Sequence, residues 1–431
     1  MPIRPVKTLK NSECRPCDHR WSQYRWGGWQ PNLTKIRMRS HYDVVIVGGG
    51  VQGLSLAYNL ARSDLLRVAV LEKSYIGSGA SGRNGEMIRS AFASLEWIRL
   101  FDKSLQLWES LSAELDFNVM FTRTGYLVLA STHDELGECR IHIERQKELG
   151  LDTRLIEADE VLRLVPALNP RWVTGGILQL NGGSARHDAV VWAYARAARR
   201  LSVEIFPHTE VIGIDIKSGS VSGVRTTKGN IETQTVVNAA GAFAGQLAAM
   251  VGLHLPLEIY RLEMIVTEPL KPFLPVALSS PHIMGYMHQT TRGEFAGGAE
   301  VEGRLPFSGL KSTRMAVQNM ARKFISLFPG LGGVNLMRQW AGVVSKTPDR
   351  GPLLGRVDKV EGFLLSAAWG GYGFMGSPAG GKLMAELILT GETPKHIQPF
   401  NLNRFKTGKL IVDSSLVVST ESIEKNEKNR R

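Results

Sequence analysis

The stretch Gly48-Gly49-Gly50-Val51-Gln52-Gly53 limits what this chain can fold into more than any other six residues. It follows Tyr42-Asp43-Val44-Val45-Ile46-Val47, a β-branched run with the near-continuous apolarity of a strand buried on both faces. It precedes Leu54 to Arg62, where apolar residues recur every three and four positions as on one face of a helix. The next run, Val68-Ala69-Val70-Leu71, ends on Glu72, closing a strand, turn, helix and strand unit of about thirty residues. In such a unit Gly48 permits the tight turn, Gly50 lets the backbone approach a pyrophosphate, and Gly53 lets the helix close on the strand. The helix N-terminus offers unpaired N–H groups to the anion. Glu72, nineteen residues past the last glycine, stands where it would accept hydrogen bonds from an adenosine ribose. These features specify dinucleotide binding and leave FAD and NAD both open.

The distribution of the remaining glycines favours the longer cofactor. Gly77-Ser78-Gly79-Ala80-Ser81-Gly82-Arg83-Asn84 follows Glu72, and Asn238-Ala239-Ala240-Gly241 and Trp369-Gly370-Gly371-Tyr372-Gly373-Phe374 follow two further strand-like runs. FAD needs close backbone approach at several points along its length, which glycine at successive strand ends supplies. The expected cofactor-lining set is Gly48, Gly50, Gly53, Glu72, Lys73, Ser81, Arg83, Asn84, Val211, Ala240, Gly241, Gly370, Gly373, Phe374 and Met375.

A formal charge of +12 raises the question of a nucleic-acid partner, and its placement argues against one. Residues 1–40 carry +7 and residues 401–431 carry +3, so the 360 residues between them hold only +2 and no basic stripe. The basic leader contains Trp21, Trp26 and Trp29, a density that suggests docking onto another surface. Three cysteines are too few for a disulfide framework, and Cys14, Cys17 and His19 fall one ligand short of a structural zinc site, so no metal is expected. No apolar run approaches the ~20 residues of a membrane span, and the leader lacks a signal-peptide core, which together suggest a cytoplasmic chain. Further along, periodicity predicts helices over 95–115, 188–201, 312–327 and 380–389 and strands over 124–130, 203–216, 221–226, 235–241 and 363–368. Residues 419–431 read as disordered.

The glycine motif, Asn238-Ala239-Ala240-Gly241-Ala242, Val266-Thr267-Glu268-Pro269, Arg338-Gln339-Trp340-Ala341-Gly342, Thr347-Pro348-Asp349 and the Gly373-Phe374 turn resemble the D-amino-acid-oxidase and glycine-oxidase superfamily. Within it the chain is most similar to beta subunits of heterotetrameric sarcosine oxidases, from the leader to about Thr407. The most specific stretches are Phe101 to Glu109, Asn118-Val119-Met120-Phe121 and Ala185-Arg186-His187-Asp188-Ala189-Val190. The resemblance implies an FAD-dependent oxidoreductase that takes a hydride from a carbon beside nitrogen in a small secondary amine or amino acid. It also implies an obligate, larger alpha-type partner and an FMN attached covalently to His187. From the residues alone, His187 reads as a polar residue just before a helix with Asp188 as its N-cap, and only the resemblance favours the flavin.

The same resemblance exposes two departures. Sarcosine oxidases carry a carboxylate-binding lysine where this chain has Met375, and glycine oxidase uses an arginine shortly after its Trp-Ala-Gly, where this chain has Val343-Val344. Tyr260, Arg261 and His288 are the catalytic candidates that remain, with Tyr286 and Arg338 beside them, and each could equally be a structural hydrogen-bonding residue. The expected architecture is an α/β fold: a discontinuous Rossmann-like FAD-binding domain of 41–115, 185–250 and 336–395, and a β-sheet-rich substrate domain of 116–184 and 251–335. The leader 1–40 and a C-terminal tail 396–431 flank them. Two rival functions stand beside amine oxidation: a dehydrogenase subunit for proline, an opine or an N-methyl amino acid that passes electrons to its partner, and a non-catalytic flavin scaffold.

Overall fold

A strand of four apolar residues has two faces to bury, and Val44–Val47 buries both. Val44 and Ile46 point into one core, Val45 and Val47 into another. This strand lies in a six-stranded sheet whose order is Leu353–Arg356, Phe363–Ala367, Val236–Asn238, Val44–Val47, Val68–Leu71 and Glu204–Phe206. All pairs are parallel except the outer Leu353–Arg356 strand, which runs antiparallel to its neighbour. The computed structural model describes residues 37–300 and 309–415. The leader with its tryptophans, Cys14, Cys17 and His19, and the 419–431 segment lie outside the described residues.

Helices Val51–Ala61, Leu95–Glu114, His187–Arg200 and Ser377–Thr390 cover the first face of this sheet. The other face carries helix Ala244–Ala249 and a three-stranded sheet of Val211–Lys217, Ser220–Thr226 and Gly229–Glu232. The strand expected over 203–216 is therefore two strands in two sheets, broken at Pro207-His208, where His208 takes a left-handed φ of 53°.

The second large element is an eight-stranded sheet in the order Leu336–Lys346, Glu258–Pro269, Glu294–Ala299, Gly285–Gln289, Ala277–Ser280, Tyr126–Ala130, Gly175–Gln179 and Thr153–Glu157. Side chains alternate strictly: Leu127, Leu129, Ile265 and Met287 pack against helices Ala158–Leu164 and Arg314–Leu327, while Tyr126 and Val128 face the other way. Strand Leu336–Lys346 was expected in the FAD-binding segment that opens at 336, but it pairs with Glu258–Pro269 over ten residue pairs and belongs to this sheet. A helix at His133–Glu148 was not anticipated, because its sequence is strongly polar. Its signal is a variant of the capping box: Thr132 Oγ1 accepts from Glu135 N–H at 3.2 Å, and Glu135 Oε2 accepts from Ser131 N–H at 2.6 Å.

The segment read as a tail from 396 is packed into the protein as far as Ser415. Arg404 and Asp349 form a bidentate pair at 2.7 and 2.9 Å with side chains only 1% and 0% exposed. Asp349 also accepts from Thr347 Oγ1, Gly351 N–H and Ile411 N–H, and Arg404 donates to the carbonyls of Phe400 and Gly351. Burial raises the Asp349 carboxyl, but the Arg404 hydrogen bonds and charge, with the Ile411 and Thr347 donors, outweigh it and hold it below its usual range. A depressed carboxyl contributes stability above its unfolded value of about 3.9, and that contribution is lost as pH falls through the folded value. Arg404→Ala leaves this charge buried without a partner and should cost about 3–5 kcal/mol in chemical denaturation. In the variant the Ile411, Gly351 and Thr347 donors remain but the Arg404 hydrogen bonds and charge no longer oppose burial, so the carboxyl rises from its wild-type value and the cost should shrink as pH falls toward and below about 3.9; an unchanged cost there would contradict the pairing.

Candidate functional site

The carboxyl ends of four parallel strands open into one cavity of about 710 Å³, well inside the roughly 300–1,000 Å³ range of ligand pockets. Gly48, Glu72, Ala239 and Ala368, the residues that immediately follow those strands, all line it. The position is the one where open α/β sheets bind ligands. Its opposite wall comes from the eight-stranded sheet, through Tyr126, Leu262, Met264, Tyr286 and Val344.

The glycines act as their spacing requires. Gly48 has φ +120°, and a Cβ there would stand 2.3 Å from the Ala239 carbonyl oxygen. A Cβ on Gly53 would meet the Gly48 carbonyl at 2.1 Å, which is the close helix–strand approach expected of it, although Gly53 does not itself line the cavity. Gly50 does line it, and its added Cβ would lie 3.0 Å from Ser81 Oγ, the atom that accepts from Val51 N–H at 2.9 Å in the first turn of the helix.

Every other residue of the expected cofactor set lies on the cavity wall: Glu72, Lys73, Ser81, Arg83, Asn84, Val211, Ala240, Gly241, Gly370, Gly373, Phe374 and Met375. Glu72 holds the loop together through Gly49 N–H at 2.9 Å, Ser74 N–H at 2.8 Å and Ser78 Oγ at 3.1 Å. A carboxylate has about four lone-pair sites, so one remains for a ligand. Lys73 Nζ lies 3.0 Å from the Phe243 ring centre. Three buried polar atoms of wall residues, Gln52 Oε1, Trp369 Nε1 and Tyr372 OH, have no hydrogen-bond partner. Buried polar groups rarely stay unpaired, so they mark where a polar ligand completes the structure. Glycine-bounded phosphate cradle, ribose-side carboxylate and orphaned polar atoms along one long cavity fit FAD.

The catalytic candidates Tyr260, Arg261 and His288 do not line it. Leu262 and Met264 face the cavity, and Tyr260, two residues back on the same face, is already behind the wall, its hydroxyl donating to the Gly370 carbonyl at 3.3 Å. Arg261 lies on the opposite face with Glu263, 3.3 Å away. His288 shares the face of Tyr286 but is buried beyond the cavity, with Nε2 4.0 Å from Glu86 Oε2. Arg338 is exposed on the edge strand. Of these five residues only Tyr286 reaches the cavity. Met375 lies on the wall, its carbonyl held by Ser104 Oγ and Trp108 Nε1.

His187 is also off the wall, and it begins its helix rather than preceding it. Arg186 is the N-cap and contributes no side-chain bond; Asp188, expected as the cap, pairs with Arg186 instead. The capping carboxylate comes from Glu86, 101 residues away, which accepts from His187 N–H at 3.2 Å and lies 2.6 Å from His187 Nδ1. Burial would raise the Glu86 carboxyl, but the His187 hydrogen bond and the charges of His187 and His288 hold it below its ordinary value. Glu86 lines the cavity and keeps a left-handed φ of 61°, so this loop joins the cavity to the helix that carries His187.

Sequence reading missed Arg89. It is 1% exposed, lines the cavity, and has no carboxylate within salt-bridge distance among the described residues. Its guanidinium lies 4.0 Å from the Phe92 ring centre and 5.5 Å from that of Tyr126. The available signal was a lone arginine inside the apolar run Met87-Ile88-Arg89-Ser90-Ala91-Phe92-Ala93.

A parallel sheet with a dinucleotide cradle at its carboxyl ends, facing a β-sheet wall across a cavity that a buried cation also lines, defines a flavin-dependent oxidoreductase. The family model for FAD dependent oxidoreductases (DAO) matches residues 43–387, and the chain belongs to that family. It is 36% identical over 392 residues to a sarcosine oxidase subunit beta of Rhodobacter capsulatus, covering 90% of this chain and 94% of that one. Among solved structures it is similar to an L-proline dehydrogenase from P. horikoshii, with TM-score 0.82 and 32% identity over 87% of this chain and all of the other. A glycine oxidase from Geobacillus kaustophilus follows at TM-score 0.78 and 27% identity, over 85% and 99% of the two chains. No helix among the described residues is long and apolar enough to cross a membrane.

Gly50→Val puts a branched side chain on the cavity wall beside Ser81. The purified variant should be colourless or markedly less stable, as read by absorbance and melting; a variant retaining one FAD per chain would show that this turn does not cradle the cofactor.

Proposed function

We propose that this enzyme oxidises the C–N bond of a small amine that carries a carboxylate, a secondary amine such as sarcosine or proline, and that Arg89 binds the carboxylate. The buried guanidinium on the cavity wall, with no described carboxylate within salt-bridge distance, is the observation behind this reading. Burying such a charge without an ion-pair partner is costly, a cost that a bound carboxylate offsets. The set running from Gly48 and Glu72 to Gly373 and Met375 would hold FAD, which when bound supplies the hydride acceptor. The protein's part is to orient and to exclude water. Arg89 fixes one end of the substrate, and Leu262, Met264, Phe374 and Met375 present apolar surface to the rest. Burial, reinforced by Tyr372 and Tyr126, drives the Tyr286 hydroxyl well above its ordinary pKa, so it stays protonated and serves as a donor and not a base. With Met375 in place of a lysine, Arg89 is the cationic anchor.

The chain would work as one subunit beside a larger alpha-type partner, since its curated relatives include sarcosine oxidase beta subunits over nearly their full length. A second flavin, FMN attached to His187, belongs to the same reading. Glu86 Oε1 lies 2.6 Å from Nδ1, where it would favour the tautomer that leaves Nε2 the lone pair a covalent link needs. His187 is partly exposed, as an attachment point at a subunit interface would be.

Arg89→Gln should lower kcat/KM for sarcosine or proline roughly 10- to 100-fold, the equivalent of a charge-assisted hydrogen bond of about 1.5–3 kcal/mol, while FAD content stays at wild type. An unchanged kcat/KM would remove the carboxylate from this site. For His187, protein co-expressed with its partner should keep a yellow flavin after denaturation, located by mass spectrometry on the peptide Ala185–Arg196, and His187→Ala should release it. Wild-type protein that gives up all its flavin as free FAD would exclude the second flavin.

A further inference from the structure

The residues behind Arg89 come from beyond the family-matched part of the chain, which ends at 387. After the short helix Arg404–Thr407, the backbone turns at Gly408, φ +71°, and residues 409–415 run back into the interior. Ile411, Asp413 and Ser415 are buried. The Arg89 guanidinium donates through Nη2 to the Ser415 carbonyl at 3.1 Å and through Nη1 to the Ala91 carbonyl. One buried carboxylate ties these two acceptors together. Asp413 Oδ1 accepts from Ser415 N–H at 2.9 Å and Ser415 Oγ at 2.5 Å, while Oδ2 accepts from Ala93 N–H at 2.9 Å and Ser94 N–H at 2.7 Å. The segment is pinned on either side of Asp413: Ile411 N–H donates to Asp349 Oδ2 at 3.0 Å, and Ser414 Oγ lies 3.0 Å from His142 Nε2.

We propose that Ile411–Ser415 is a positioning strap for the substrate site, setting through Asp413 the orientation of the Arg89 guanidinium and with it the affinity for the substrate's carboxylate. This rests on the reading of Arg89 as the carboxylate anchor. The chemistry follows from how an arginine is oriented. Its five N–H donors lie in one rigid plane, so fixing two of them on backbone carbonyls fixes the direction of the others. The strap's carboxylate, Asp413, is engaged by Ala93, Ser94 and Ser415 and makes no ion pair with Arg89, so the strap orients the guanidinium and leaves its remaining N–H donors available for a substrate carboxylate. None of the strap residues lines the cavity, so their effect on binding passes through Arg89.

The test uses the FAD-loaded full chain, with acetate as the probe for carboxylate binding, read by the perturbation of flavin absorbance. Asp413→Ala should weaken acetate binding about tenfold, the change expected from losing one hydrogen bond to a charged group. It should also raise KM for sarcosine with little change in kcat, and leave FAD content unaltered. Asp413→Asn, which keeps one acceptor oxygen, should fall between Asp413→Ala and wild type. It becomes the deciding variant if Asp413→Ala does not yield folded, FAD-loaded protein. Wild-type acetate affinity in the folded Asp413 variants, alongside lost affinity in Arg89→Gln, overturns the strap alone. Acetate affinity unchanged in Arg89→Gln, or absent from wild type, overturns the carboxylate reading and the strap with it.

Discussion

The Arg89 guanidinium is buried with no carboxylate within salt-bridge distance among the described residues, and much of the surrounding structure serves to tolerate it. Two backbone carbonyls take its donors on one side, and the faces of Phe92 and Tyr126 lie within cation–π distance. These arrangements lower the cost of burial, and the buried Asp413 carboxylate, joined to Arg89 through Ser415, lowers it further without making an ion pair with the guanidinium. Because the opposite wall of the cavity is the flavin cradle, a carboxylate bound at Arg89 would also fix where the neighbouring C–N bond lies.

The cradle itself depends on backbone geometry. Strands Val44–Val47, Val68–Leu71, Val236–Asn238 and Phe363–Ala367 run parallel and end together, so the loops after them converge on one place. Gly48 and Gly53 let the first of these loops close tightly enough to present N–H groups. Glu86 then connects this region to the surface: it lines the cavity, caps the helix His187–Arg200 and meets the His187 ring. One carboxylate on a residue of left-handed φ thus links the cavity wall to the start of the helix His187–Arg200.

The flavin side was legible in the sequence because phosphate cradles need particular glycines at particular spacings, and nearly all of the residues expected there line the cavity. The substrate side was not. Tyr260, Tyr286 and His288 are chemically similar candidates, and what separates them is how far along its strand each one sits relative to the end of the cavity. Alternation says which face a residue takes but not where the facing wall stops. Arg261 fell on the wrong face, paired with Glu263. Arg89 was overlooked because it belongs to no helix or strand, standing just after a strand of only two residues, Met87–Ile88, too short to show a period. The strap was hidden for a related reason: Asp413 and Ser415 belong to no helix or strand, and their importance comes entirely from partners more than 300 residues away.

Anaerobic mixing tests the central claim most directly. FAD-loaded protein should lose its oxidised-flavin absorbance with sarcosine or proline, and keep it with dimethylamine or pyrrolidine, which offer the same kind of C–N bond without a carboxylate. Equal bleaching by both classes would contradict a carboxylate-anchored site, and no bleaching by any carboxylated amine would leave a flavin scaffold in place of an enzyme.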